Sequence, residues 1–172
     1  MKRFAGWLML ATVVVGLDQW SKLAILARFA EHEARPVTEY FNLVLVYNTG
    51  AAFSLFADQP GWQRWFFVVL AAAICAWLLR MLWQHRAEVL QPAAFSLVIG
   101  GAVGNNFIDR IAYGKVVDFL DVHVCQYAWA DFLGSYCRWP AFNIADSAIC
   151  LGVVLMLIAQ FRGDHSEGAA HD

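Results

Sequence analysis

Charged side chains are scarce in this chain of 172 residues: Asp, Glu, Lys and Arg make up 15% of it, against about 25% in a typical soluble domain. The net charge is −2, so there is no basic excess of the kind that predicts a nucleic-acid partner. Hydrophobic residues reach 60% of the chain and include eight tryptophans, a residue enriched at membrane–water interfaces. This balance favours a membrane protein over a soluble one.

The sequence also lacks the motifs of common metal and nucleophilic centres. It contains no H-E-x-x-H and no C-x-x-C motif, and its cysteines have no paired histidines nearby. His32 and His123 are the histidines of the predicted outer side, and no serine has a convincing His–Asp partner. We therefore expect neither a metal site nor a Ser-His-Asp triad, and no cofactor.

The four cysteines fall into two pairs. Cys75 and Cys150 lie within apolar runs, which is typical of small core residues. Cys125 and Cys137 flank a polar connection. If that connection faces an oxidising compartment, a disulfide between these two residues is a reasonable hypothesis.

Four long apolar stretches predict membrane-spanning helices, each of which needs about 17–25 residues. The predicted spans are about 4–26, 62–83, 92–110 and 141–161. The expected fold class is therefore an all-α integral membrane protein with four transmembrane helices. We expect residues 1–172 to form a single membrane domain.

The connections contribute a smaller β element. Residues 41–47 are β-branched and aromatic, and Asn48-Thr49-Gly50 follows as a turn signal. This pattern predicts a strand or hairpin on the outer surface, in the first outer connection. The polar tail 163–172 is predicted to be disordered.

The N-terminus begins with Lys2 and Arg3 before an apolar run, as a signal peptide does. The run has no A-x-A-like cleavage site, so we expect a retained first helix. Lys and Arg are denser in the predicted inner connections, although their raw count is slightly higher outside, and we expect both termini in the cytoplasm. Gly100 and Gly104, in G-x-x-x-G spacing, predict close helix packing.

Polar residues within the apolar segments converge on one level of the predicted bundle. Ionisable groups in a membrane are costly and mark functional sites by default. At the predicted outer end of the helices the sequence places Asp18, Lys22, Asn105, Asn106, Asp109, Arg110, Asp118, Asn143 and Asp146. Their convergence from four parts of the chain predicts a functional site at that face.

Structural alternatives exist for several of these residues. Asp18 and Lys22, four residues apart, can form an ion pair along a helix. Asp109 and Arg110 can form an interfacial charge pair. Asn143 can act as a simple helix cap. The sequence leaves each of these alternatives open.

Two carboxylates suggest a particular chemistry. Asp146 is a lone carboxylate in an apolar run, and Asp118 lies between apolar residues, with Asp121 as an alternative that spacing does not exclude. Two carboxylates held close together in a poorly solvated site share one proton, because like charges repel. Such a pair can activate water against a carbonyl without a metal, as in aspartic proteases.

Other function classes fit less well. A proton channel or small transporter would use carboxylates spread through the membrane depth, whereas these cluster at one side. A purely structural membrane subunit leaves the costly carboxylates unexplained. A peptidase is therefore the leading hypothesis.

Five ordered motifs resemble those of the lipoprotein signal peptidases, or signal peptidase II, of bacterial inner membranes. They are residues 18–22 (DQWSK), 48–53 (NTGAAF), 100–110 (GGAVGNNFIDR), 116–119 (VVDF) and 142–146 (FNIAD). The resemblance implies cleavage of diacylglyceryl-modified prolipoproteins just before the lipid-bearing cysteine. It also implies a multi-pass inner-membrane protein whose active site lies at the periplasmic face, in contact with membrane lipids. We expect a monomer.

The resemblance also implies roles for individual residues. The family's catalytic aspartates match Asp118 and Asp146, which favours Asp118 over Asp121. Residues that line or brace the site in the family match Asn106, Asp109, Arg110 and Asn143, and residues that lie nearby match Asp18, Lys22 and Asn48.

One stretch departs from the family pattern. Between His123 and Trp139 the family usually has a much shorter link, whereas this chain carries Val124–Arg138. The insertion lies between the two predicted catalytic segments and removes no motif residue. It is expected to affect a flap over the site or the choice of substrate.

Overall fold

The computed structural model describes residues 1–50, 59–125 and 137–168, with side chains described as far as residue 161. In chain order the elements are helix α1 (Lys2–Leu26), strands β1 (Ala34–Thr38) and β2 (Phe41–Asn48), helices α2 (Trp62–Gln84) and α3 (Leu90–Ala102), a π-helical segment (Val103–Asp109), helix α4 (Arg110–Tyr113), strand β3 (Val116–Val122) and helix α5 (Ile144–Gly168). The motif residues 51–53 and most of the insertion, 126–136, lie outside the described residues.

Within the described residues, three helices are long and apolar enough to cross a membrane: Lys2–Leu26, Trp62–Gln84 and Ile144–Phe161, with mean hydropathies of 1.3, 2.2 and 2.1. Their outward faces are apolar. Exposed side chains on them include Met9, Val13, Leu17, Val69, Leu70, Val154, Leu157 and Phe161. Apolar surface on this scale is typical of a surface that faces lipid. These helices correspond to the first, second and fourth predicted spans.

The third predicted span, 92–110, consists of three successive helical segments. Helix α3 has 13 residues, the π-helical segment seven and helix α4 four. A π-helix widens the turn, and such segments are frequent at functional sites. The span is therefore interrupted where its polar residues Asn105, Asn106 and Asp109 lie.

The predicted β element is present and larger than expected. Strands β1, β2 and β3 form one antiparallel sheet in that order. Strand β3 comes from the second outer connection, where the sequence predicts no strand. Its pairing with β2 places Asp118 opposite Val46 and Val117 opposite Tyr47. The sheet thus joins the connection between α1 and α2 to the connection between α4 and α5, and it fixes the backbone around Asp118.

Glycines allow helices α1, α3 and α5 to approach closely, as the G-x-x-x-G spacing predicts. A Cβ atom on Gly100 would lie 2.8 Å from the Ala11 carbonyl oxygen. A Cβ atom on Gly101 would clash with the Ala145 backbone. Small residues are required wherever helix backbones pack this tightly.

The end of α5 differs from the prediction. The sequence predicts disorder from residue 163, but the helix continues to Gly168, and residues 169–172 lie outside the described residues. Extending an established helix costs little and adds one hydrogen bond per residue, so α5 can continue into this polar stretch.

Candidate active site

A cavity of about 860 Å³ lies where the sheet meets the helices. Asp118 on β3 and Asp146 on α5 both border it, although they are far apart in sequence. The residues that line it are Val46, Tyr47, Asn48, Thr49, Gly50, Phe67, Asn105, Asn106, Arg110, Val116, Asp118, Trp139, Pro140, Ala141, Phe142, Asp146, Ser147, Ile149 and Cys150. The wall is largely apolar, and among the described residues the charged groups on it are Arg110 and the two carboxylates.

Asn143 contacts both carboxylates. Its side-chain amide donates to Asp118 Oδ1 over 2.8 Å, and its backbone N–H donates to Asp146 Oδ2 over 3.0 Å. The Asp146 N–H in turn donates to Asn143 Oδ1 over 2.9 Å. This reciprocal pair is a capping box at the start of α5. Asn143 is therefore a helix cap and also a link between the two carboxylates.

Asn105 is a second link; the sequence places it in the polar cluster, but the residues matched to roles in the family do not include it. Its Nδ2 donates to Asp146 Oδ1 over 2.7 Å. Its Oδ1 accepts from Lys22 Nζ at 2.7 Å and from Asn143 Nδ2 at 3.0 Å. The sequence shows a tandem of asparagines in an apolar helix, and the family resemblance gives a role to Asn106 alone.

Lys22 lies at the centre of a buried ion cluster. Its Nζ is 2.8 Å from Asp18 Oδ2 and 2.8 Å from Asp109 Oδ2, and all three side chains are at most 2% exposed. Asp18 Oδ1 accepts the Ala145 N–H at 3.0 Å, and Asp109 Oδ2 accepts the Val117 N–H at 3.0 Å. The predicted Asp18–Lys22 ion pair is present. It also connects α1 and the π-helical segment to β3 and α5.

Arg110 is part of the cavity wall. Its guanidinium donates to the Thr49 carbonyl over 3.1 Å and to the Gly50 carbonyl, and its Nε donates to Asn106 Oδ1 over 3.2 Å. It also lies 4.6 Å from the centre of the Phe67 ring. The sequence left open an Asp109–Arg110 charge pair, but Asp109 forms its ion pair with Lys22 instead.

Asp121 has a different environment. Arg138 Nη1 lies 2.7 Å from its Oδ2, and Asn42 Nδ2 donates to the same atom over 2.8 Å. Side chains three positions apart on a strand point to opposite faces, so Asp121 and Asp118 diverge. The geometry therefore favours Asp118 as the partner of Asp146.

The environment of Asp118 raises the pKa of its carboxyl group. Burial raises the pKa of the Asp118 carboxyl to about 7, and the charge of Asp146 acts in the same direction. Lys22 and hydrogen bonds from Asn143 and Asn48 lower this pKa and offset part of the rise. Two carboxylates on one cavity wall, one of which retains its proton near pH 7, can act as an acid and a base.

The two cysteines near the ends of the insertion are joined. Cys125 and Cys137 form a disulfide with a Cα–Cα distance of 5.0 Å. This is the pairing that the sequence suggested for an oxidising compartment. The free cysteines, within the described part of the chain, are Cys75 and Cys150.

Comparison with known proteins gives consistent matches along the chain. The family model described as signal peptidase (SPase) II matches residues 10–162. The lipoprotein signal peptidase of Azoarcus sp. (strain BH72) is 55% identical over 164 residues, which cover 95% of this chain and 87% of that protein. The lipoprotein signal peptidase of Cupriavidus pinatubonensis is 48% identical over 91% of this chain and 82% of its own length.

The fold has a counterpart among solved structures. A bacterial membrane enzyme determined at 2.3 Å by the in meso method superimposes with a TM-score of 0.76. It is 29% identical in sequence, and the match covers 92% of this chain and 88% of that one. The similarity therefore extends over both the helices and the sheet.

Proposed function

This chain belongs to the signal peptidase II family, and we propose that it removes the signal peptide from diacylglyceryl-modified prolipoproteins. Membership makes it a membrane protease. We propose further that it is an aspartic endopeptidase which cleaves just before the lipid-bearing cysteine. Asp118 and Asp146 are the proposed catalytic residues.

One observation carries this proposal. Asp118 and Asp146 border one cavity, and Asn143 donates a hydrogen bond to each of them. No other pair of carboxylates borders that cavity among the described residues. Asp18 and Asp109 are bound to Lys22 instead.

The two carboxylates have complementary surroundings. Asp146 accepts hydrogen bonds from the Asn105 side chain and the Asn143 backbone, and both bonds stabilise negative charge. The pKa of Asp118 is raised to about 7 despite its hydrogen bonds from Asn143 and Asn48, so a large share of this carboxyl is protonated near neutral pH. We assign the base to Asp146 and the acid to Asp118.

The reaction then follows from this assignment. Asp146 takes a proton from a water molecule, whose oxygen attacks the scissile carbonyl carbon, while Asp118 donates its proton to the carbonyl oxygen. The tetrahedral intermediate collapses when its C–N bond breaks. The proton on Asp146 passes to the leaving amine, and Asp118 recovers its own proton from the hydroxyl group.

The cavity suits a lipid-anchored peptide. Phe67, Ile149 and Cys150 on spanning helices form part of its wall, while Tyr47 and Asp118 on the sheet form another part. A substrate can therefore keep its acyl chains beside the helices and place its peptide bond against the sheet. Arg110 and Asn48 are the proposed binding groups for the peptide backbone.

The proposed topology is that of a monomeric inner-membrane protein with both termini in the cytoplasm. Residues 92–110, the third predicted span, are proposed to cross the membrane as well, with the π-helical segment in place of part of a regular helix. The site then lies at the periplasmic face. The Cys125–Cys137 disulfide supports this orientation, because disulfides form in oxidising compartments such as the periplasm.

The test is cleavage of a lipidated prolipoprotein peptide by purified variants. Asp118→Asn and Asp146→Asn should each lower kcat by at least about 10²-fold, which is the lower range for removal of a general acid or base. Glu33→Gln is the matched control, since this carboxylate pairs with Arg35 outside the cavity. Wild-type cleavage by either aspartate variant would refute the assignment.

A further inference from the structure

We propose that the Cys125–Cys137 disulfide is a positioning element that holds the Asp146 segment in register with the Asp118 strand. This inference rests on the proposed function, since it concerns the same site. The disulfide closes the insertion that separates the two carboxylates in sequence. The described residues on either side of it form a continuous series of hydrogen bonds, a path that reaches both proposed catalytic residues.

The first part of the path is a short antiparallel ladder beside the disulfide. The Val124 N–H donates to the Cys137 carbonyl over 2.8 Å, and the Trp139 N–H donates to the Val122 carbonyl over 2.9 Å. His123 and Arg138 are bridge partners between these two bonds. Residues 137–139 therefore extend the sheet as a further strand-like segment alongside the end of β3.

The second part of the path reaches the site. The Phe142 N–H donates to the Leu120 carbonyl over 3.0 Å, and the Leu120 N–H donates to the Phe142 carbonyl over 2.8 Å. Asn143 follows Phe142 directly and bonds to Asp118 Oδ1. A slip between residues 137–142 and β3 would therefore move Asn143 relative to Asp118.

Burial contributes little to holding the outer part of this segment. Trp139 is 60% exposed, and the Arg138 side chain is 52% exposed in its ion pair with Asp121. Asp121 is itself only 2% exposed, but solvent around the half-exposed Arg138 screens part of this ion pair. A covalent link at the open end of the ladder limits slippage far more, because it removes conformational freedom from the unpaired state.

This segment is also a wall of the cavity. Trp139, Pro140, Ala141 and Phe142 all line it. The disulfide therefore fixes both the shape of this wall and the position of one carboxylate relative to the other. We expect its loss to lower kcat about tenfold while KM changes less than twofold, since the geometry of the carboxylates is more sensitive than the apolar contacts.

The experiment compares oxidised and reduced full-length protein in detergent. A phosphine reductant converts the disulfide to two thiols and becomes the phosphine oxide, with one water consumed. Oxidised glutathione then restores the disulfide by thiol–disulfide exchange. The variant Cys125→Ser/Cys137→Ser is the control for the reductant, and Cys75 and Cys150 stay unchanged in every sample.

Reduction of the wild-type protein should lower kcat about tenfold, and reoxidation should restore it. The kcat of the reduced wild type should equal that of the double variant, and the double variant should not respond to the reductant. Undiminished kcat in fully reduced wild type, verified by thiol counting, overturns the proposal. A loss seen only in the double variant also overturns it, since the substitution is then the cause.

Hydrogen exchange separates this inference from the proposed function. On reduction, the amides of Leu120, Trp139 and Phe142 should exchange faster, while those of α2 remain unchanged. That result supports the positioning role of the disulfide even if the oxidised protein fails to cleave a prolipoprotein peptide. Such a failure would count against the proposed function alone. Unchanged exchange at all three amides would overturn the proposed positioning role.

Discussion

Lys22 Nζ donates to Asn105 Oδ1 over 2.7 Å, and this bond determines which end of the Asn105 amide faces Asp146. With its oxygen bound to an ammonium group, Asn105 presents Nδ2 to Asp146 Oδ1 at 2.7 Å. An ammonium group has three donors and no acceptor, so it can bond to the Asn105 side chain only through the amide oxygen. A residue on the first helix thus orients a contact to the proposed base.

Asn105 and Asn106 should have separable effects on catalysis. Asn105→Ala removes a bond to a charged group, worth about 1.5–3 kcal/mol, so kcat should fall about 10- to 100-fold. Asn106 instead contacts Arg110 at the cavity wall, so Asn106→Ala should raise KM more than it lowers kcat. Steady-state kinetics on both variants distinguishes the two roles, and equal losses of kcat would contradict the assignment.

Removal of Lys22 should destabilise the fold strongly. Lys22→Met leaves two buried carboxylates, Asp18 and Asp109, without their cation, and the loss of one partner of a buried pair costs about 3–5 kcal/mol. Arg35→Met is the matched control, because the Arg35–Glu33 pair has the same kind of contact at 2.7 Å but is 53% and 34% exposed. That variant should lose no more than about 1 kcal/mol. Thermal unfolding in detergent compares them, and similar melting temperatures would count against a buried ion cluster.

Activity should fall as the pH rises through neutrality. The pKa of Asp118 is raised to about 7, so below this pH the group keeps the proton that the proposed acid donates. Above it, Asp118 ionises, the acid is lost and two like charges border one cavity. The kcat/KM profile should therefore descend on its alkaline side with an apparent pKa near 7. A profile that stays flat from pH 6 to pH 9 would contradict this role.

Gly104 should tolerate no larger side chain. A Cβ atom there would lie 2.6 Å from Asp18 Oδ2, so Gly104→Ala should displace the carboxylate from the ion cluster and lower both stability and activity. Gly16→Ala is the control within α1, where a Cβ atom would meet nothing within 4 Å. That change should be neutral or stabilise the helix by up to about 1 kcal/mol. Equal melting temperatures for the two variants would show that Gly104 is not a point of close contact.

The apolar helices and the gathering of polar groups at one level could be predicted from the sequence, because both depend on hydropathy and on the cost of burying charge. The Asp18–Lys22 pair follows from i,i+4 spacing, and it is present. The strand in the first outer connection is also present as β2. These features are local, or follow from composition alone.

Strand β3 could not be predicted in the same way. Residues 116–122 are apolar enough for a strand, but their pairing with β2 depends on contacts between distant parts of the chain. The choice of Asn105 over Asn106 for the contact with Asp146 depends on the π-helical geometry, which shifts side chains around the helix axis. Such a change of turn has no clear signature in a single sequence.

The position of the cavity between sheet and spanning helices has a kinetic consequence. Phe67 and Ile149 belong to helices that are long and apolar enough to span a membrane, while Tyr47 belongs to the sheet. In the proposed topology the substrate can therefore enter by lateral diffusion without leaving the bilayer. Encounter then takes place in two dimensions. Turnover should depend on the mole fraction of substrate among the lipids rather than on its bulk concentration, and inert phospholipid added to mixed micelles should slow the reaction by surface dilution.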